Sequence, residues 1–278
     1  MSGTDAVLDL VILIVVALVP ALIYLGWVRG TERFQTTTLG PIVGAFVYGA
    51  LFATLVAAVL ELVLVDLGTS VSMNFPAPEF VFLNGNSNAG AFFLVLVIAP
   101  FVEEALKGSG VYYFRNRIRT IADGPIFGAA VGLGFGFFET FLYGLSAFIV
   151  GGLVAGLALI LVRILSSVLL HGSSTGMFGY GYARSKFGVP GAGVGSYYLL
   201  AVGMHATFNA LASLAAILVL VGISGLTLSL ASVLALLLAI LFAFTAIEHV
   251  RHVVATADYP ALRPRGVRPT PPGGARNR

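Results

Sequence analysis

Long uninterrupted apolar stretches limit what this chain can fold into more than any other feature of its sequence. A helix needs roughly 20 residues to cross about 30 Å of hydrocarbon, and the chain contains seven stretches of that length or more. They are residues 6–28, 41–65, 91–114, 124–148, 150–182, 197–221 and 226–248. Because 58% of the 278 residues are hydrophobic and only 10% are charged, the chain has too little charge for a soluble surface. The sequence predicts an all-α, polytopic transmembrane bundle of about seven spans.

Two further features of the composition narrow the class of protein. Cysteine is absent, which excludes disulfide frameworks, cysteine-ligated zinc and thiol catalysis. The formal net charge is +3, and its basic residues flank the apolar stretches, a pattern that is typical of membrane proteins. We therefore expect the lipid bilayer as a partner, and no nucleic acid.

The distribution of basic residues predicts the orientation of the bundle. Arginines and lysines follow the first, third, fifth and seventh apolar stretches, whereas the loops 66–90 and 222–225 contain neither. The positive-inside rule then places the N-terminus outside and the C-terminus in the cytoplasm, as in a multi-pass protein of the cell membrane.

The stretch 150–182 is long enough for one tilted crossing or for two short ones, and two would raise the number of spans to eight. Two crossings would also place Arg184 and Lys186 outside, together with the basic C-terminal tail. We therefore predict one crossing near residues 163–182. The glycine-rich segment before it is either re-entrant or an extension of the helix.

The chain is predicted to form one domain with a tail. Residues 1–258 are expected to be a single transmembrane helical domain, with the motif-bearing core in residues 91–221. Residues 259–278 are rich in proline, glycine and arginine and have no apolar period. This composition predicts a disordered, basic cytoplasmic tail.

Polar side chains inside the predicted spans are the candidate functional residues, because an ionisable group in hydrocarbon costs several kcal/mol unless it is paired or hydrated. Four spans carry Glu103, Glu104, Lys107, Glu139, Arg163, His171, His205 and Asn209. At about 1.5 Å per residue, the three glutamates and two histidines lie roughly 13–24 Å from the cytoplasmic ends of their helices. This shared depth predicts that they converge on one hydrated cavity. We expect the cavity to open towards the cytoplasm, where Lys107, Arg115 and Asp123 lie.

Spacing within the helices adds three expectations. Glu103 and Lys107 are four residues apart, which favours an ion pair between them and leaves Glu104 as the preferred general base. Glu61 and Glu248 lie near the ends of predicted spans and are interpreted as interfacial. A ridge of small residues that permits close approach of another helix is formed by Gly124, Gly128, Gly132 and Gly136.

Four motifs resemble, in order, those of the PrsW family of intramembrane proteases. They are Glu103-Glu104-x-x-Lys107, a glycine-rich stretch from Asp123 that ends in Phe138-Glu139, His171-x-x-x-Thr175 with Gly179-Tyr180, and His205-x-x-x-Asn209. The resemblance extends from about residue 101 to residue 209. Thr140 departs from the asparagine that often follows the glutamate in this family. CAAX-prenyl endopeptidases and bacteriocin-immunity proteins are more distant relatives, which usually carry an arginine one residue after the position of Lys107.

The resemblance implies an endopeptidase that hydrolyses a peptide bond of a membrane-protein substrate, within or beside the membrane. Together with the shared depth, it points to Glu103, Glu104, Glu139, His171 and His205 as catalytic residues. The residues expected to support them are Lys107, Asn209 and Arg163.

Amide hydrolysis needs an activated water, a stabilised oxyanion and a proton for the leaving amine. A glutamate is expected to activate the water. His171 and His205 either ligate a zinc ion together with a glutamate or donate hydrogen bonds to the oxyanion, for which Asn209 is a further donor. Two alternatives stay open at this point: a non-catalytic membrane-binding or immunity-type protein, and a proton-coupled transporter that uses the same carboxylates.

Overall fold

The computed structural model of the chain describes residues 3–32, 37–74, 93–220 and 222–257, and within these ranges the regular structure is entirely helical. The predicted tail 259–278 lies outside the described residues, as does most of the predicted outer loop 66–90. The predicted all-helical class is confirmed for the described part of the chain.

The helices follow the apolar stretches of the sequence. In chain order they are α1 (Gly3–Arg29), α2 (Leu39–Val47), α3 (Thr54–Asn74), α4 (Ala99–Tyr113), α5 (Asp123–Ile164), α6 (Ser167–Lys186), α7 (Val194–Ala212), α8 (Leu214–Leu220) and α9 (Gly225–Thr256). A π-helical turn, Tyr48–Ala53, joins α2 to α3, and a second one, Leu94–Ile98, leads into α4. Such turns are frequent at functional sites.

Four described segments are long and apolar enough to cross a membrane: Ala6–Arg29, Leu39–Leu64, Asp123–Lys186 and Gly225–Thr256. Large apolar side chains on them, among them Leu62, Val150 and Leu226, are exposed on the outside of the bundle. Lipid is the surrounding that such a surface requires, since water would not solvate it. The chain is therefore a helical membrane protein, as the sequence predicts.

The helix α5 turns back on itself at Gly152. This residue has φ 76° and ψ −175°, a conformation that glycine adopts without the steric cost of a side chain. Beyond the turn the chain runs antiparallel to the helix it has left, with Ile160 packed against Gly144 and Gly156 against Phe148. Of the two forms expected for the glycine-rich segment, the structure shows an extension of the return helix.

The return helix continues, after a break at Leu165 and Ser166, as α6. It packs along the first half of α5, where the glycine ridge lies. A Cβ atom on Gly124, Gly128 or Gly132 would collide with a backbone carbonyl oxygen of α6. The predicted close approach is thus confirmed, and it fixes the height of α6, and with it the position of His171, relative to α5.

The loops that carry the basic residues are tied together at one end of the bundle. The Asp123 carboxylate accepts hydrogen bonds from the backbone amides of Arg119 (2.6 Å) and Thr120 (2.8 Å) and from the hydroxyl of Thr37 (2.5 Å). The ammonium group of Lys186 donates to the carbonyl oxygen of Ile118 at 2.7 Å. These contacts close that end of the bundle around α5.

Candidate active site

The structure brings the three glutamates and two histidines of the four motif helices into one cluster. The Nε2 atom of His171 lies 2.8 Å from Oε2 of Glu139, and Nδ1 of His205 lies 3.1 Å from Oε1 of Glu104. The two imidazole rings meet edge to face, with their centroids 4.9 Å apart. Glu103 is within 4 Å of both rings. Equal depth on separate helices was therefore a sound guide to proximity.

Lys107 lies at the centre of this cluster and is fully buried, with 0% of its surface exposed. Its Nζ atom is 2.8 Å from Glu104 Oε1, 3.4 Å from Glu103 Oε2 and 2.9 Å from His171 Nδ1. It also lies over the ring of Phe135. Glu104 was preferred as the general base because Lys107 was expected to pair with Glu103. The lysine is in fact closer to Glu104, so the same reasoning now favours Glu103 as the base.

Glu104 has hydrogen-bond donors on both of its carboxylate oxygens. Ser174 donates to Oε1 at 2.9 Å and Thr175 donates to Oε2 at 3.2 Å, in addition to the contacts with Lys107 and His205. A carboxylate held by four groups of three helices positions its neighbours and has little capacity left for water or substrate. Ser174 was not expected as a partner, although its place beside Thr175 in the third motif is a usable signal.

Glu139 forms an ion pair with Arg163. The guanidinium Nη2 atom lies 2.6 Å from Glu139 Oε2 and 2.9 Å from the hydroxyl oxygen of Ser167. The arginine also stacks over the ring of Tyr143, at 4.0 Å from its centroid. Because Glu139 also accepts from His171, the arginine fixes the carboxylate that in turn fixes the imidazole.

The partners of each histidine determine which ring nitrogen carries the proton. In His171, Nδ1 faces the Lys107 ammonium and must accept, so Nε2 carries the proton and donates to Glu139. In His205, Nδ1 donates to Glu104, which leaves the lone pair of Nε2 at 3.8 Å from Glu103 Oε2. Each imidazole is oriented by a carboxylate, as ligand histidines usually are. The nitrogens that face Glu103 have no proton to give to an oxyanion.

A cavity of about 420 Å³ adjoins the cluster. Glu103, Glu139, His171 and His205 form one side of it, while α3 and the π-helical turn before α4 form another. Asn209 lines it as well, and its amide group donates to the carbonyl oxygen of Val95 at 2.8 Å. The cavity is therefore the volume in which a substrate could meet Glu103.

The cavity extends away from the basic loops, contrary to the expectation of an opening towards them. On α4 and the turn before it, the lining residues are Leu94, Val95, Ala99 and Glu103, and no described residue between Glu103 and Arg115 contributes. Two features close the other side. The glycine ridge packs α6 directly on α5, and both Lys107 and Asp123 are committed to partners inside the protein.

Glu61 also lines the cavity, which corrects its interpretation as an interfacial residue. The helix α3 continues to Asn74, so Glu61 is not at a helix end. The sequence contained a signal for it: Thr54, Ala57 and Ala58 precede it at helical spacing on the same face and also line the cavity. Glu248, by contrast, is partly exposed and pairs with Arg251 at 2.7 Å, as an interfacial residue would.

Glu103, His171 and His205 form a group that could hold a metal ion, since one ligand atom from each lies within 4.8 Å of the others. A set of two imidazoles and one carboxylate is a ligand set of catalytic zinc sites. Glu139 and Glu104 hold the two histidines in the manner of outer-shell partners. These residues fit a metal ion. To bind it, Nδ1 of His171 must give up its contact with the Lys107 ammonium group.

A protein-family comparison matches most of the chain. The sequence model described as "PrsW family intramembrane metalloprotease" matches residues 38–247, a range that contains every residue of the cluster. No curated protein and no solved structure matches the chain.

Proposed function

The chain belongs to the PrsW family of intramembrane metalloproteases, and from this premise we propose that it is an endopeptidase that hydrolyses a peptide bond of a membrane protein in the cavity beside Glu103. One observation carries the proposal. Glu103 is the carboxylate that both lines the cavity and lies within 4 Å of the two carboxylate-oriented histidines. A residue at that position can meet a water molecule and a substrate carbonyl group at the same time.

Glu103 is the residue that we assign to water activation. Its carboxylate has the 3.4 Å contact with Lys107, longer than the 2.8 Å contact of Glu104. It is therefore held in place with acceptor capacity to spare, which a general base needs. The proton that it takes from the water can then pass to the leaving amine, so that the carboxylate returns to its starting state.

We propose zinc as the metal ion, and Glu103, His171 and His205 would hold it. When bound, it would supply Lewis-acid polarisation of the substrate carbonyl group and of a water molecule. Glu139, Arg163 and Glu104 act in either case by fixing the two imidazole rings. Removal of metal, described in the Discussion, separates the metallo form of the proposal from the form in which Glu103 acts alone.

Asn209 is the remaining candidate for oxyanion stabilisation. Its amide nitrogen uses one hydrogen for the carbonyl oxygen of Val95, and the second has no acceptor among the described residues, so a group in the cavity can accept it. The histidines are better suited to ligation, because both of their protons are given to carboxylates. An amide donor in a water-excluded site is worth about a hundredfold in rate or more.

We also propose seven crossings, with the N-terminus outside and the C-terminus in the cytoplasm of the cell membrane. Five crossings come from the four long apolar segments, because Asp123–Lys186 contains two antiparallel helices. The π-helical turn with α4, and α7, supply the other two. In this orientation the cavity extends towards the outer face, and we expect cleavage in a substrate segment near that face.

The proposal is tested with the full chain reconstituted in liposomes together with single-span peptides. Mass spectrometry of the products should show cleavage at a defined bond, and Glu103→Gln should abolish it while the protein keeps its melting temperature. Glu248→Gln is the matched control, since it removes a carboxylate that lies outside the cavity. Equal cleavage by wild-type protein and Glu103→Gln would refute the assignment.

A further inference from the structure

Glu61 differs from the other carboxylates of the cavity in having no partner among the residues that the structure describes. Glu103 contacts Lys107, and Glu139 contacts Arg163 and His171. Within the described ranges Glu61 forms neither a hydrogen bond nor an ion pair, and its Oε1 atom is buried. A buried acceptor without a donor is costly, so Oε1 of Glu61 calls for a donor from outside the described residues.

The face of α3 that carries Glu61 leaves room in the cavity for a substrate side chain. Thr54, Ala57 and Ala58 form the face of α3 below it, and all three side chains are small. The hydroxyl of Thr54 is used internally, since it donates to the carbonyl oxygen of Gly49 at 3.0 Å. The face therefore offers space along its length and a polar group, the Glu61 carboxylate, at its end.

Two described cations near the cavity, Lys107 and Arg163, are not available to Glu61. Lys107 is fully buried among Glu104, Glu103 and His171. Arg163 is held by Glu139 at 2.6 Å and by Ser167 at 2.9 Å. Of the described residues that line the cavity, Glu61, Glu103 and Glu139 are acidic, whereas Arg163 is the one lysine or arginine. Glu103 and Glu139 thus have cations as partners, whereas Glu61 has none among the described residues, which favours a ligand that brings a positive charge.

We propose that Glu61 is a specificity-determining residue that receives a basic side chain, lysine or arginine, of the substrate segment bound in the cavity. This inference rests on the proposed function, since it assigns the substrate class of the same site. A neutral backbone amide could also donate to Glu61, but it would leave this carboxylate without a counter-ion. A cationic side chain satisfies both the unpartnered oxygen and the charge.

The experiment uses full-length protein and a series of membrane peptides in which one lysine is moved along the cleaved segment. Each lysine peptide is paired with a norleucine peptide, which has a similar length and no charge. At one position, the wild-type kcat/KM for lysine should exceed that for norleucine by at least about tenfold, the low end for a hydrogen bond to a charged group. In Glu61→Gln this ratio should fall towards one, whereas Glu248→Gln should keep it.

Two results would overturn the inference. One is equal cleavage of lysine and norleucine peptides by the wild-type protein at every position. The other is a lysine preference that Glu61→Gln leaves unchanged, which would place the recognition elsewhere. The melting temperature of Glu61→Gln is measured alongside. A second conservative variant, Glu61→Asp, keeps the charge and should therefore keep part of the lysine preference if the carboxylate charge determines it.

Binding separates a failure of this inference from a failure of the proposed function. Fluorescence anisotropy measures the affinity of the same labelled peptides for Glu103→Gln, with and without Glu61→Gln. A lysine preference in binding that depends on Glu61 supports the inference even if wild-type protein cleaves none of the peptides, in which case the protease proposal fails alone. If the wild-type protein cleaves the peptides but lysine and norleucine peptides bind equally well, the inference about Glu61 fails and the protease proposal stands.

Discussion

Nζ of Lys107 lies 2.9 Å from Nδ1 of His171, so a lysine contacts the histidine nitrogen that faces the metal-ligand group. An imidazole nitrogen has one lone pair and cannot serve both cations at once. The lysine also bridges two adjacent glutamates at 2.8 and 3.4 Å. The organisation of the site in the absence of metal therefore depends on this one side chain.

Lys107→Met should destabilise the protein, because it leaves Glu104 and Glu103 buried without their cation. Removing one partner of a buried ion pair costs about 3–5 kcal/mol, which should lower the free energy of unfolding measured by denaturant titration in detergent. The double variant Lys107→Met/Glu104→Gln should recover part of the loss. The control Glu248→Gln breaks a partly exposed pair and should cost about 1 kcal/mol or less. A Lys107→Met protein as stable as wild type would contradict the central role of this lysine.

Glu103→Gln and Glu104→Gln should separate catalysis from structure. Glu103→Gln should lose at least about a hundredfold in kcat, the low end for general acid–base catalysis, with little change in melting temperature. Glu104→Gln should lower the melting temperature, because an amide would place an NH2 group against donors that now face a carboxylate. Turnover and thermal denaturation of both variants provide the measurement. The reverse pattern would return the role of base to Glu104.

Removal of metal tests whether the group Glu103, His171 and His205 holds zinc. Protein dialysed against a strong chelator should lose its activity and regain it on addition of Zn²⁺, while metal analysis should show binding that is lost in His205→Ala. His205 is the informative variant because, among the described residues, its Nε2 has no hydrogen-bond partner that the ion must displace. The control His252→Ala lies at the end of α9, outside the cluster. Full activity in metal-free protein would rule out the metal-dependent mechanism and favour the one in which Glu103 activates water without a metal.

Gly132→Ala should displace α6 and with it His171. A Cβ atom at Gly132 would collide with the carbonyl oxygen of His171, which is backbone and cannot move alone. Overpacking of this kind costs about 1–3 kcal/mol, and we expect kcat to fall as well because the imidazole shifts. In the control Gly203→Ala the added atom meets nothing within 4 Å, so stability should stay the same or rise. Equal behaviour of the two variants would show that the ridge tolerates side chains.

The sequence predicted the depth of the site in the membrane better than the side towards which its cavity opens. Polar residues in apolar helices gave the positions of Glu103, Glu139, His171 and His205 along the membrane normal, and the structure brings them together. Depth carries no information about which side of a helix faces a cavity. The spacing of Lys107 from its two glutamates allowed either pair, and the choice depends on Ser174 and His171 of another helix.

Glu61 and the direction of the cavity escaped prediction for a related reason. A glutamate near the end of an apolar stretch is usually interfacial, and only the packing of α3 against the turn before α4 places it over the site. The cavity extends away from the basic loops because the glycine ridge closes the opposite side. Whether the glycine-rich segment before residue 163 is re-entrant or extends the helix was likewise open until the return helix could be seen to pack on α5.

The hairpin formed by α5 and α6 has a consequence for the biogenesis of the protein. Glu139, Arg163 and His171 all lie within this one hairpin, whose arms meet along glycines. Chains are synthesised from the N-terminus, so this hairpin can pair in the bilayer while the helix with His205 is still inside the ribosome. The imidazole of His171 is then oriented before its counterpart arrives, and the nascent chain completes the reactive cluster only when α7 docks.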